Sequence, residues 1–149
     1  MAKNENKKEK KIMNYIPITL DYAVALLFTM FFFHIVDDYY LQGWLASAKQ
    51  KKWWEKNSPD ELYKHDYIMA LAEHAFSWSF MIHLPIVIAF IMLGTPLHRV
   101  FVSYLVNWLI HIFVDNLKAN WMKINLVQDQ TIHFVQIIVT WWFVVAKFY

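Results

Sequence analysis

The chain has 149 residues, a formal net charge of +2 at pH 7 and a hydrophobic fraction of 58%. This length suits one domain, and the apolar fraction exceeds the roughly one half that is typical of soluble domains. The small net charge gives no reason to expect a nucleic acid partner. The lack of cysteine excludes disulfides and thiolate metal sites.

The chain begins with a polar, lysine-rich tail at residues 1–14. This tail is not expected to be a cleavable signal peptide, because the apolar run that follows is too long and lacks a small-residue cleavage site. Its lysines suit either a solvated terminus or contact with anionic lipid head groups. We expect residues 15–149 to form a single transmembrane helical domain.

Four apolar runs follow the tail, near residues 16–36, 68–93, 97–117 and 131–147. A helix of about 20 apolar residues crosses a hydrocarbon core of roughly 30 Å. The runs therefore predict an all-α, polytopic membrane helical bundle with about four transmembrane helices. The turn Gly94-Thr95-Pro96 indicates that the second and third helices form an antiparallel hairpin. Trp141 and Trp142 suit an interfacial anchor in the last run.

The connection at residues 41–66 is long, charged and aromatic, and its part from Trp44 to Lys56 suits an amphipathic helix on the membrane surface. The 14 lysine and arginine residues divide equally between the two sides of a four-span topology, so the positive-inside rule does not decide the orientation. The lysine-rich tail favours a cytoplasmic N-terminus. The expected location is a bacterial inner membrane, and the sequence leaves the oligomeric state open.

Four histidines and three aspartates recur in and beside the apolar runs. Three His/Asp pairs have their members four residues apart, so both members of each pair share one helix face. In an up-and-down bundle, all of these residues fall near one interface. They are His34 with Asp38, His111 with Asp115, Asp129 with His133, and the single His74.

Imidazole and carboxylate groups on facing helices are typical of a metal site in a bundle core. The predicted ligands are His34, Asp38, His74, His111, Asp115 and His133. Mixed nitrogen and oxygen ligands suit zinc, manganese or iron, and the set exceeds one tetrahedral ion, which leaves outer carboxylates or a second ion open. The competing interpretation is interhelical hydrogen bonding that fixes the packing of the bundle.

Further polar residues extend this hypothesis. Asp129 is a candidate general base or additional ligand, although it could instead cap the fourth helix. Lys118 is a candidate catalytic residue that stabilises an anionic substrate such as a phosphate. Gln42 and Gln130 are expected to orient the ligands by hydrogen bonds, or to be interfacial residues.

Two other residues and a short repeat complete the pattern. Asp37 is either a spare ligand or a solvated neighbour of the site, and we favour the solvated neighbour. We expect His83, near Pro85, to be structural. Residues 34–38 and 111–115 share the pattern H-I-x-x-D, which favours two related helical hairpins.

The order and spacing of these polar residues resemble a known pattern. Its elements are H-x3-D-x3-Q at residues 34–42, then Lys49 and His74, then H-x3-D-x2-K at 111–118, and finally D-Q-x2-H at 129–133. It is that of an uncharacterised family of small bacterial and phage membrane proteins, catalogued as a domain of unknown function (family 3307). The resemblance covers roughly residues 30–136 and implies the fold and a shared polar site. It implies no reaction. The segment from Gln42 to Lys49 is one residue shorter than the family pattern, which leaves the role of Lys49 open.

Three functions are compatible with this sequence. The first is a metal-dependent membrane hydrolase that acts on a lipid or a lipid-linked substrate, with the metal activating water. The second is a component of proton, ion or solute transport, in which histidines and aspartates conduct protons. The third is a non-enzymatic phage or bacterial accessory protein that acts through the charged loop and the tail. Neither the metal nor the substrate can be read from the sequence.

Overall fold

The computed structural model describes residues 18–145, and every regular element in that range is helical. The predicted all-α fold is therefore confirmed, whereas the tail at residues 1–14 lies outside the described residues. The elements are α1 (Leu20–Ile35), which continues as a π-helical turn (Val36–Leu41), α2 (Leu45–Ala48), α3 (Lys51–Asn57), a 3-10 turn (Glu61–Tyr63), α4 (Asp66–Leu93), α5 (His98–Ala119) and α6 (Leu126–Val145).

Side-chain caps begin two of the long helices. The Thr19 hydroxyl accepts a hydrogen bond from the Tyr22 amide at the start of α1, at 3.4 Å. At the start of α6, Asn125 and Gln128 each accept from the other's backbone amide, at 2.9 and 3.0 Å, which forms a reciprocal capping box. The interpretation of Asp129 as the cap was therefore wrong, because Asp129 lies within the first turn of a helix that Asn125 already caps.

The four long helices form a ring in which α1 and α5 each pack against both α4 and α6. Because the chain runs up and down through this ring, residues 42–65 and 120–125 lie at the same end, which we call the polar end. The turn that follows Gly94, which has a left-handed φ of 67°, lies at the opposite end. The core toward that opposite end is apolar and includes Met30, Ile82, Phe90 and Ile137.

Three helical stretches are long and apolar enough to cross a membrane, namely Leu20–Leu41, Glu61–Leu93 and His98–Ala119. The count differs from the predicted four because α6 carries several strongly polar residues, which lower its hydropathy: Gln128, Asp129, Gln130, His133 and Gln136. The outer faces of the bundle expose large apolar side chains, such as Phe28 at 68% and Leu109 at 63%. An apolar exterior around a polar interior is the arrangement expected of a membrane bundle.

The segment at residues 41–66 does not form the single amphipathic helix that was expected between Trp44 and Lys56. The helix breaks at Lys49 and Gln50, and two short helices, α2 and α3, cover the polar end. Asn120 anchors the break: its Oδ1 accepts from the Lys51 amide at 2.7 Å, and its Nδ2 donates to the Lys49 carbonyl at 3.1 Å. The break turns the Lys49 side chain inward, where the residue is only 8% exposed.

Candidate metal centre

A wide π-helical turn places two aspartates at the polar end of α1. The Gln42 amide donates to the Asp37 carbonyl, five residues back, at 3.1 Å. Both Asp37 and Asp38 are buried, at 1% and 6% exposure. The prediction that Asp37 is solvated was wrong, because its Oδ1 accepts a hydrogen bond from the Ser77 hydroxyl at 2.6 Å. Such turns interrupt regular helices frequently at functional sites.

Three of the predicted histidines come together from three helices. His74 of α4, His111 of α5 and His133 of α6 are each 0% exposed. The Nε2 atoms of His74 and His111 are 3.3 Å apart. The rings of His111 and His133 stack with their centroids 4.2 Å apart. The structure therefore brings these three histidines, from three different helices, into contact with one another.

Three aspartates face these histidines. Asp38 Oδ1 lies 3.4 Å from His74 Nε2, and Asp129 Oδ1 lies 3.4 Å from His133 Nε2. Asp115 lies between them: its Oδ2 is 3.3 Å from His74 Nε2, and its Oδ1 is 3.4 Å from His133 Nε2. The same Oδ1 is 3.6 Å from His111 Nε2.

These distances have the length of contacts between neighbouring metal ligands. They lie between 3.3 and 3.6 Å, whereas a hydrogen bond from a ring N–H to an oxygen is about 2.7–3.2 Å long. Two ligands of one tetrahedral ion lie about 3.3–3.4 Å apart when the bonds to the ion are about 2.0–2.1 Å. Two groups have this arrangement: Asp38 with His74 and His111, and His111 with Asp115 and His133.

His34, the fourth predicted histidine ligand, lies beside this group with both ring nitrogens engaged by protein groups. The Trp78 indole N–H donates to His34 Nδ1 at 2.7 Å. Because Nδ1 accepts, the ring proton must be on Nε2, which donates to Gln130 Oε1 at 3.1 Å. The geometry therefore favours His74, His111 and His133 as the histidine ligands. His34 instead orients the side chain of Gln130.

Two lysines contact carboxylate oxygens of the site. Lys49 Nζ lies 2.6 Å from Asp115 Oδ2, and Lys118 Nζ lies 2.6 Å from Asp129 Oδ2. Lys118 was predicted to stabilise an anionic substrate, and in the structure its ammonium group contacts the carboxylate of Asp129. Both lysines lie on the side of the polar end, and both line the clefts that reach Asp38 and Asp115.

The two predicted glutamines differ in their contacts. Gln130 Nε2 donates to Asp38 Oδ2 at 2.7 Å and to Asp129 Oδ2 at 3.2 Å, so this amide orients two carboxylates as expected. The side-chain amide of Gln42 instead donates, through Nε2, to the backbone carbonyl of Asp38. Gln42 therefore braces the π-helical turn and does not contact a carboxylate of the site.

The site forms two layers below the polar end. At about 1.5 Å per residue, His111 and His133 lie roughly 10–12 Å from the ends of their helices, and Asp115 and Asp129 roughly 4–6 Å. A cleft of about 350 Å³ reaches the aspartate layer and is lined by residues that include Asp38, Gln42, Lys49, Lys118 and Gln130. A larger apolar groove of about 430 Å³, on the face formed by α4 and α5, is lined by none of the candidate ligands.

Three supporting residues were missed or left undecided by the sequence reasoning. Lys49 was present in the family pattern, but only the break between α2 and α3 explains its burial. Trp78 and Gln136 follow His74 and His133 by four and three residues, so helical spacing could have identified both. Gln136 Oε1 accepts from His133 Nδ1 at 3.1 Å, and its Nε2 donates to Asn107 Oδ1 at 3.2 Å. This bond places a proton on Nδ1, so the neutral His133 ring would present an unprotonated Nε2 to a metal.

The two H-I-x-x-D segments differ in their structural roles. His111 presents Nε2 to the site, whereas His34 hydrogen bonds to Trp78 and Gln130. The segment that begins at His34 passes into a π-helical turn, whereas α5 remains a regular helix. The repeat therefore does not produce equivalent ligands.

A family model described as "Protein of unknown function (DUF3307)" matches residues 26–148 of the chain. The match includes every residue of the candidate centre. No curated protein and no solved structure matches the chain.

Proposed function

The chain belongs to the DUF3307 family of uncharacterised proteins, and we propose that it is a membrane-embedded metalloprotein that hydrolyses a lipid or lipid-linked phosphate ester. The proposal rests on the distances between buried imidazole nitrogens and carboxylate oxygens from four helices. These distances are close to the separation of two neighbouring ligands of one metal ion. Packing alone would be served better by hydrogen bonds of ordinary length.

Burial supports a bound cation. The Nε2 atom of His133 and the Oδ1 atom of Asp129 are buried and have no hydrogen-bond partner among the described residues. Unpartnered buried polar atoms cost free energy. A divalent ion would compensate both atoms at once, and zinc, manganese and iron all accept this mixture of ligands.

The charge balance favours an anionic substrate. The three aspartates carry three negative charges, and Lys49 and Lys118 carry two positive ones, so neutral histidines leave the site with one net negative charge. A divalent cation would reverse that sign and attract an anion. The cleft that reaches Asp38 also contains Lys118, which could exchange its contact with Asp129 for a phosphate oxygen.

The proposed reaction adds water across a phosphate ester. The water oxygen forms a bond to phosphorus, the bond from phosphorus to the alcohol oxygen breaks, and the alcohol leaves with a proton that comes from the water. A divalent ion would activate the water and neutralise charge on the phosphoryl group. Asp129, through its Oδ2 atom, which Lys118 and Gln130 contact in the structure, would accept the proton from the water and deliver it to the leaving oxygen.

Metal analysis of the protein purified in detergent tests the metal centre. We expect divalent metal in the unaltered protein and in His83→Ala, and its loss in His133→Ala. His83 is a suitable control because it is a buried histidine that contacts the Ser79 carbonyl and the Ser103 hydroxyl outside the site. Protein that retains its fold but contains no metal would exclude the proposal.

Phosphate release tests the reaction. The purified protein, reconstituted in vesicles that contain a phosphate monoester of a long-chain alcohol, should release inorganic phosphate. A soluble short-chain phosphate monoester is the comparison substrate, and it should react more slowly because its chain does not hold it at the interface. Metal-loaded protein that releases no phosphate from either substrate would exclude the hydrolase.

A buried polar row favours ion or proton transport as a second candidate. From His133 the row continues through Gln136 and Asn107, and Asn107 Nδ2 donates to the Ser103 carbonyl at 2.9 Å. The Ser103 hydroxyl then lies 2.8 Å from His83 Nε2, farther from the polar end. Proton flux into vesicles that is reduced by Asn107→Leu would favour this function over hydrolysis.

A further inference from the structure

The two carboxylate oxygens of Asp115 face different histidines. Oδ2 lies 3.3 Å from His74 Nε2, whereas Oδ1 lies 3.4 Å from His133 Nε2. A carboxylate that directs each oxygen toward a separate imidazole has the geometry of a bridge between two ions. With one ion bound through a single oxygen, no cation would lie between the other oxygen and its imidazole, although Lys49 Nζ also contacts Oδ2 at 2.6 Å.

A further aspartate lies beside each of the two histidines that Asp115 faces. Asp38 Oδ1 lies 3.4 Å from His74 Nε2 on one side, and Asp129 Oδ1 lies 3.4 Å from His133 Nε2 on the other. The outer oxygens of these two aspartates are held apart from the histidines, because Gln130 donates to Asp38 Oδ2 and Lys118 to Asp129 Oδ2. The inner oxygens are therefore left to face two positions on either side of Asp115.

We propose that the centre binds two divalent cations bridged by Asp115, an inference that rests on the proposed metal centre. Bridged ions of this kind lie about 3.5–4 Å apart. His111 belongs to both groups of possible ligands, and we assign it to the first ion because its Nε2 lies 3.3 Å from His74 Nε2 and 3.6 Å from Asp115 Oδ1. The first ion then takes four protein ligands, which are Asp38, His74, His111 and Oδ2 of Asp115. The second takes three, which are the other oxygen of Asp115, Asp129 and His133.

The unequal ligand sets imply different roles for the two ions. Four ligands complete a tetrahedral site, whereas three leave a position for water or substrate. The second ion is thus the reactive one, and Lys118, through its contact with Asp129, lies on its side of the site. Two ions on either side of a phosphoryl group can stabilise both the attacking and the leaving oxygen.

Titration with Mn²⁺ tests the inference. The full-length protein in detergent is stripped with a chelator, titrated with Mn²⁺, and examined by metal analysis and electron paramagnetic resonance. We expect two equivalents of bound Mn²⁺ and a spectrum of two exchange-coupled ions. One equivalent would exclude the second ion and leave the proposed metal centre standing, whereas no binding would exclude both. Two equivalents with uncoupled spectra would exclude the Asp115 bridge.

Single substitutions locate the two positions. Asp129→Asn should reduce the bound Mn²⁺ from two equivalents to one and abolish the coupling. Asp21→Asn is the control, because Asp21 is exposed in the first turn of α1 at the opposite end of the bundle, and it should retain two equivalents. Retention of two coupled ions in Asp129→Asn would exclude the assignment of the second position.

Discussion

Lys49 and Asp115 are 66 positions apart in the chain, yet Lys49 Nζ lies 2.6 Å from Asp115 Oδ2 inside the bundle. The side chains of both residues are buried, at 11% and 2% exposure. The pair joins the loop that covers the polar end to the central carboxylate of the candidate metal centre. The loop and the centre should therefore depend on each other for stability.

Removal of the lysine charge tests this dependence. Lys49→Met should destabilise the metal-free protein by about 3–5 kcal/mol, the usual cost of leaving a buried charge without its partner. Divalent metal should recover much of this loss, because a cation then neutralises Asp115. Thermal unfolding in detergent, with and without metal, measures both effects. Lys56→Met, at an exposed position of α3, is the control, and an equal loss in both variants would contradict the prediction.

The contacts of His34 predict that it is a positioning residue. His34→Gln should retain the metal stoichiometry of the unaltered protein and weaken metal affinity by about 10-fold, as is typical when a group that orients a ligand is changed. His111→Ala should instead lose metal, since His111 Nε2 faces the site. Metal titration separates affinity from stoichiometry. Complete loss of metal in His34→Gln would restore His34 as a ligand.

Gln136 sets the protonation of His133 in the structure. Gln136→Leu removes the oxygen that accepts from His133 Nδ1, so the proton can move to Nε2 and compete with metal. Metal affinity should fall about 10–100-fold with the helical content unchanged. Gln136→Glu keeps an acceptor at this position and should recover part of the affinity. Equal affinities for the leucine and glutamate variants would show that the hydrogen bond is not responsible.

The fourth membrane crossing can be tested with single cysteines, because the chain has no native cysteine. Asn57→Cys and Met122→Cys lie at the polar end and should react from the same side with a membrane-impermeant maleimide. His98→Cys, at the opposite end, should react from the other side. If α6 crosses the membrane, Lys147→Cys reacts together with His98→Cys. Reaction of Lys147→Cys together with Asn57→Cys would show that α6 does not cross.

Local patterns predicted several features of the site. The spacing of four residues in His111/Asp115 and Asp129/His133 depends only on helical geometry, so each pair was expected to share a face. The alternation of apolar runs with polar connections then predicted which ends of the helices meet. Both arguments need only short-range information, and the structure agrees with them.

Other features depend on contacts between distant parts of the chain. Asp37 and Asp38 are adjacent in the chain, and both are buried because they lie in the π-helical turn. His34 has the same spacing to an aspartate as His111, but Trp78 and Gln130, from other helices, occupy both of its ring nitrogens. No local pattern contains that information, because the partner of a polar side chain depends on how the helices pack.

The sequence by itself determined the helical bundle and the end of it at which the histidines and aspartates gather, because apolar run length and helical periodicity are local properties of a chain. The tertiary structure decided which nitrogens and oxygens face one another. It placed Lys49 against Asp115, engaged His34 with protein partners, and left His74, His111 and His133 directed at three carboxylates. Distances between atoms on different helices result from packing, and the proposed metal centre rests on those distances.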